Sequence, residues 1–153
     1  MLIRIIYQND TKEYHYSSFT DIINYDKIIY IYCVNNNLSS LHELPKSLQQ
    51  LYCMYNQLTV LPELPDSLEI LVCYYNKLTS LPELPNSLRV LGCDCNKLTS
   101  MPKLPNSLKE FFCHNNQLIT LPELPNSLQV LYCENNQLIE KQKQKYIKKI
   151  IYM

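Results

Sequence analysis

The sequence predicts an α/β solenoid, an elongated stack of short parallel strands, each returned to the start of the next by an irregular segment. Three observations lead there. A 20-residue unit recurs from about residue 31 to residue 138 without insertion or deletion, as in LYCMYNQLTVLPELPDSLEI from Leu51 and LVCYYNKLTSLPELPNSLRV from Leu71. A fixed period of this length marks stacked supersecondary units that share one continuous core. Within each unit, apolar residues alternate only over the stretch around Leu51 and Cys53, which fits a short strand with two inward side chains. The rest of the unit holds Pro62 and Pro65, which remove backbone donors and disfavour helical geometry, so the return is not a regular helix.

Residues 1–30 are expected to cap the first end. LIRIIY and EYHYS flank a polar QNDTK stretch and suit a hairpin, while Ser18 with Asp21 resembles a capping box opening a short helix through Ile22 and Ile23. Residues 31–138 then hold five full units, starting at Ile31, Leu51, Leu71, Leu91 and Phe111, and a partial sixth from Leu131. The recurring positions are those of Leu48, Leu51, Cys53, Asn56, Leu58, Leu61 and Leu64. Asn36, Asn56, Asn76, Asn96, Asn116 and Asn136 fall where each strand ends. A side-chain amide both donates and accepts, so this column is expected to satisfy backbone groups in a bend shielded from water. With about 16 residues left for the return, polyproline-like or 3₁₀ backbone is expected on the outer side. Asp66 with Ser67, and Asn86 with Ser87, suit a turn in which their side chains bond to nearby backbone amides. Residues 139–153, IEKQKQKYIKKIIYM, place Ile147, Ile150 and Ile151 among five lysines and suit a basic amphipathic helix capping the last unit. A membrane-surface or nucleic-acid tail is the alternative, and an incomplete cap would leave an edge for self-association.

The pattern L-x-x-L-x-C-x-x-N-x-L with its L-P-E-L-P return resembles the leucine-rich repeat, and the 20-residue form resembles the short-repeat class. That class occurs in secreted effectors of enteric bacteria and in repeat proteins of amoeba-infecting giant viruses. The resemblance implies a curved stack with the sheet on its concave side and a role in binding proteins. Two departures stand out. Cysteine holds an inward position usually aliphatic, and the large C-terminal ubiquitin-ligase domain of some bacterial effectors has no counterpart in this sequence, so that activity is not implied.

Composition narrows the function classes. Fourteen basic and fourteen acidic side chains cancel, which removes the positive field of a protein that tracks nucleic acid. The N-terminus lacks the apolar length and cleavage site of a signal peptide, and no stretch approaches a membrane span, so the sequence reads as soluble and not exported by the general route. Six of the seven cysteines, Cys33, Cys53, Cys73, Cys93, Cys113 and Cys133, recur every 20 residues. Strands about 4.8 Å apart would bring them close, but parallel side chains keep their Cβ atoms too far apart for easy bridging. They are expected to be free buried thiols in an intracellular, reducing compartment, the host cytoplasm on the viral resemblance. A line of sulfurs offers no tetrahedral convergence, so no metal and no cofactor is expected. Cys95, two residues beyond Cys93, falls on the outer side with no activating base read beside it.

If Leu51 and Cys53 point in, the second, fourth and fifth positions of each unit point to solvent. They supply the candidate protein-binding residues Tyr32, Tyr52, Tyr55, Tyr74, Tyr75, Asp94, Phe112, His114, Tyr132 and Glu134, an aromatic strip with an acidic end. Grouped tyrosines suit a binding surface, and equally a cross-strand ladder that stabilises the sheet. Glu43, Glu63, Glu83, Lys103 and Glu123 form an outer row that keeps the stack solvated. His15, His42 and His114 read as ordinary surface residues. The expected function is a noncatalytic scaffold that recognises an unidentified protein partner, for which the resemblance points to a host protein, with no nucleic-acid or membrane partner. The alternatives are a structural repeat unit without a partner of its own and a thiol-based redox protein, for which no nucleophile, base and oxyanion donor assemble.

Overall fold

A computed structural model describes residues 1–139. Eight strands form one sheet: β1 (Ile3–Tyr7), β2 (Tyr14–Tyr16), β3 (Ile28–Tyr32), β4 (Gln50–Tyr52), β5 (Ile70–Val72), β6 (Val90–Gly92), β7 (Glu110–Phe112) and β8 (Val130–Tyr132). Their spatial order is β2-β1-β3-β4-β5-β6-β7-β8. From β3 onward every pairing is parallel and in register with the period: Ile31 lies beside Leu51, Leu51 beside Leu71, Leu71 beside Leu91, Leu91 beside Phe111 and Phe111 beside Leu131. One column of the sequence thus becomes one row of the core.

Leu48, Leu51, Cys53 and Leu58 have no exposed surface, nor do their equivalents through Leu118. Each fully buried leucine contributes about 1.5–3 kcal/mol by leaving water, so the strip gains its stability by repetition. The asparagine column ties neighbouring units together. Asn56 Nδ2 donates to the carbonyls of Cys33 (2.9 Å) and Cys53 (3.0 Å), and its Oδ1 accepts from the amides of Asn36 and Leu38, both at 3.0 Å. Asn76, Asn96 and Asn116 repeat this bridge. Asn36 has no earlier unit to hold and turns to the hairpin, with Nδ2 donating to Leu2 O and Oδ1 accepting from Leu2 N, both at 2.8 Å.

The residue before each asparagine lies in the left-handed region: Asn35 (φ 55°), Tyr55 (55°), Tyr75 (50°), Cys95 (52°), Asn115 (53°) and Asn135 (52°). Asparagine tolerates this conformation, whereas a bulky side chain is held there at a cost.

β1 and β2 form the expected antiparallel hairpin, and β1 also pairs antiparallel with β3, setting Ile5 beside Ile31. Strand β3 begins at Ile28, so it crosses the boundary expected between residues 30 and 31. The expected helix through Ile22 and Ile23 is a single 3₁₀ turn, Phe19–Asp21, whose amide at Thr20 donates to Ser18 Oγ. Ile22 is already extended and Asn24 is left-handed, because the chain must reach β3 within a few residues. A second 3₁₀ turn spans Tyr25–Lys27. The described residues contain no α-helix, and no 3₁₀ turn lies within the repeats. The α part of the expected α/β class and the 3₁₀ part of the expected outer side are corrected accordingly. Proline at two positions per return leaves too few donors for either helix.

The serine column also differs from expectation. Ser87 Oγ donates to the carbonyl of Leu68 in the preceding unit at 2.6 Å, and Ser107 and Ser127 do the same to Leu88 and Leu108. Ser67 shares its hydrogen between Lys46 O and Leu48 O, both at 2.7 Å. The side chain thus joins two returns, where a local turn bond was expected. The expected basic C-terminal helix lies outside the described residues, save for Ile139.

Candidate functional site

The outward face of the parallel sheet is built from positions two, four and five of each unit. A strand sends alternate side chains to opposite faces, so burial of Leu51 and Cys53 forces Tyr52 and Met54 outward. Tyr32, Tyr52, Tyr74, Phe112, His114, Tyr132 and Glu134 are half-buried there, and Tyr55 and Tyr75 are exposed. Asp94 departs from the group at 8% exposure. Its lateral neighbours at the same position, Tyr74 and His114, carry longer side chains that flank its short one.

The aromatic residues fall into three groups. Tyr52 packs against Tyr30 (ring centroids 5.5 Å) and Tyr32 (6.2 Å), and the Arg4 guanidinium sits 3.7 Å above the Tyr32 ring. Tyr55 and Tyr75 stack at 4.8 Å with an interplanar angle of 9°, and Tyr74 meets both edge-on at 5.4 and 5.8 Å. Phe112 and Tyr132 stack at 5.4 Å. Gly92 supplies no ring between the last two groups, so the strip is interrupted at β6. Arg4 and Tyr30 escaped the sequence reading because Arg4 enters from the hairpin and Tyr30 lies in β3 one residue before the first unit.

At that interruption the structure brings together residues that the sequence keeps 20 apart. One donor atom each from Asp94, Cys95 and His114 lie within 4.8 Å of one another. Asp94 Oδ2 is 3.6 Å from His114 Nε2, and the Cys95 amide donates to His114 O at 3.0 Å. His114 is therefore not the ordinary surface residue expected from the sequence. Adding one period to Asp94 gives His114, and that lateral step was the signal to read. Burial pushes the Asp94 carboxyl above the usual carboxylate range, with His114 acting against it. A hydrogen bond with Cys95 raises the Tyr75 phenol, which links this cluster to the tyrosine stack. His42, by contrast, packs edge-on against Phe19 (6.1 Å), beside a cleft of about 410 Å³ away from the sheet face.

All seven cysteines are free, and the six in the column lie buried behind the sheet. Burial pushes Cys33 up to about 12 and Cys133 up to about 11, and raises Cys53, Cys73, Cys93 and Cys113 as well. A buried thiol that resists ionisation is a poor nucleophile, so the column packs and does not react. Among the described residues, no helix is long and apolar enough to cross a membrane.

Solved structures share this stack. YopM from Yersinia enterocolitica WA-314 is 39% identical with a TM-score of 0.67, over 68% of this chain and 23% of its own. A Shigella effector LRR domain is 41% identical with a TM-score of 0.72, over 73% of this chain and 51% of its own. The repeats are leucine-rich repeats of the short enteric-effector type. YopM of Yersinia pestis, a leucine-rich effector protein, agrees at 45% identity and a TM-score of 0.69, over 72% of this chain and 32% of its own. The leucine-rich-repeat chain thus spans about half or less of the length of these relatives. No protein-family model and no curated protein matches it.

Proposed function

We propose that the outward face of the sheet is a noncatalytic recognition surface for a protein, centred on Tyr52, Tyr55, Tyr74, Tyr75, Phe112 and Tyr132. The observation that carries this reading is the backbone of Tyr55 and Tyr75. Both occupy the left-handed position that asparagine fills in three sister units, and both leave about half of the side chain open, 48% and 51%. Neither ring serves the core, and a bulky residue in this conformation costs about 1–3 kcal/mol. Stacked tyrosines present a stiff, half-polar surface whose burial by a partner supplies binding energy. The redox alternative lacks an ionisable column thiol, as described above.

Likeness to effector repeats supports a host-cell protein as the partner class. Affinity capture from host lysate with the wild-type chain and with the double variant Tyr55→Asn, Tyr75→Asn tests the proposal. Asparagine suits the backbone, so the variant stays folded. Proteins retained by the wild type and lost from the variant support the reading, and an identical retained set overturns it.

A further inference from the structure

We propose that Asp94, Cys95 and His114 form a site for one borderline-soft divalent cation of the zinc type on the outward face of the sheet. One carboxylate oxygen, one sulfur and one imidazole nitrogen are the donor classes such an ion takes, and three protein donors leave a fourth position for water or for a group from a partner. The proposal stands apart from the recognition surface, because it concerns an ion and not a protein.

The geometry is close to that required. A tetrahedral ion with bonds of about 2.0–2.3 Å sets its donors about 3.3–3.8 Å apart. Asp94 Oδ2 and His114 Nε2 are already 3.6 Å apart, and the sulfur lies inside the 4.8 Å envelope of the cluster. Cys95 is half-buried, and its Sγ accepts from Asn115 Nδ2 at 3.6 Å, a long contact that a metal bond would replace. The scaffold is held from both sides: Cys95 N donates to His114 O at 3.0 Å, and Asp94 O accepts from Asn96 Nδ2 at 3.1 Å and from Tyr75 N at 3.2 Å.

Two further features favour a cation. Asp94 is the one buried carboxylate among the described residues, and a carboxylate withdrawn from water needs a positive partner, which a bound cation supplies. His114 Nδ1 is buried and has no hydrogen-bond partner among the described residues, so nothing there fixes the tautomer and either nitrogen is free to offer its lone pair. Gly92, two residues before Asp94 on the same face, adds no side chain to crowd the position. The neighbouring units carry Met54, Tyr74 and Glu134 at the equivalent place, so the donor set occurs once. Binding displaces the Cys95 thiol proton to solvent as the Sγ–metal bond forms.

The test adds cobalt(II) to the reduced full-length chain and follows thiolate-to-metal charge transfer and tetrahedral d–d absorption, with zinc(II) as competitor. The expected result is one equivalent per chain, displaced by zinc. Cys95→Asn, Asp94→Asn and His114→Met should each weaken binding by at least about tenfold, with unchanged circular dichroism. Asparagine already occupies the Cys95 position in sister units, and methionine the His114 position, so these variants keep the backbone. Absence of the charge-transfer band, its survival in Cys95→Asn, or unaltered affinity in either other variant overturns the site.

Discussion

The side-chain amide of Asn76 lies 3.0 Å from the carbonyl oxygen of Cys53 in the preceding unit and equally 3.0 Å from that of Cys73 in its own. Its Oδ1 accepts from the buried amide of Leu58 at 2.9 Å. One side chain therefore closes the bend of two units at once. Asn76→Ala leaves the Leu58 N–H without an acceptor, at about 1–3 kcal/mol, and thins the donors to both carbonyls. Urea denaturation should show a lowered midpoint. Asn76→Asp should be at least as damaging, since a carboxylate cannot donate to either carbonyl.

At the left-handed position, replacing Tyr75 with asparagine exchanges strain for a lost ring stack. Relief of about 1–3 kcal/mol is set against an aromatic pair worth about 0.5–1.5 kcal/mol. The net change should stay within about 1 kcal/mol of zero on those magnitudes. Tyr75→Val loses the stack and places a β-branched residue in the strained region, so it should destabilise the chain in the same denaturation experiment. Equal midpoints for the two variants would remove strain from the account.

Much of this architecture was legible in the sequence. Leu51, Cys53 and Asn56 recur at one spacing, and a strict period can be satisfied only by lateral stacking, so the core rows and the asparagines' role in the bend followed directly, while their bonds across two units did not. The left-handed turn was not read, although Asn35, Asn115 and Asn135 carry its signature, because Tyr55 and Tyr75 favour strands on their own. The Asp94, Cys95 and His114 cluster was missed for a related reason: its members look isolated along the chain and meet only one period apart. The serine bonds were misassigned because Ser67 and Ser87 sit in a turn, where local bonds are the usual expectation.

Alkaline pH should loosen the fold through the thiol column. Burial raises Cys33 from 9.0 to about 12 and Cys133 from 9.0 to about 11, and Tyr25 is likewise raised from 10.0 to about 12. The folded chain therefore holds protons that the unfolded chain releases first. This stabilisation is whole below pH 9.0 and is lost as pH climbs through 11 and 12. Denaturation midpoints should fall across that window, and less steeply when Cys33 and Cys133 are alanine. A flat profile would contradict the burial of the column.

The hairpin should be needed for solubility as well as for closure. Deleting residues 1–27 uncovers the backbone edge of β3 and the face of Ile31 that Ile5 now covers. Sedimentation velocity should show concentration-dependent association beyond that of the intact chain. A truncated chain that sediments like the intact one would show that the first unit closes itself.

The constant register has an evolutionary corollary. If residues 71–90 were excised in frame, Leu58 N would meet Asn96 Oδ1 where it now meets Asn76 Oδ1, and Leu51 would lie beside Leu91. The asparagine and leucine contacts repeat at each seam between these modules, so recombination between copies would trim or extend the array in whole increments and leave both neighbours competent to dock. Length is then inherited separately from the decoration of the face, and the same backbone can display new side chains without relearning how to fold.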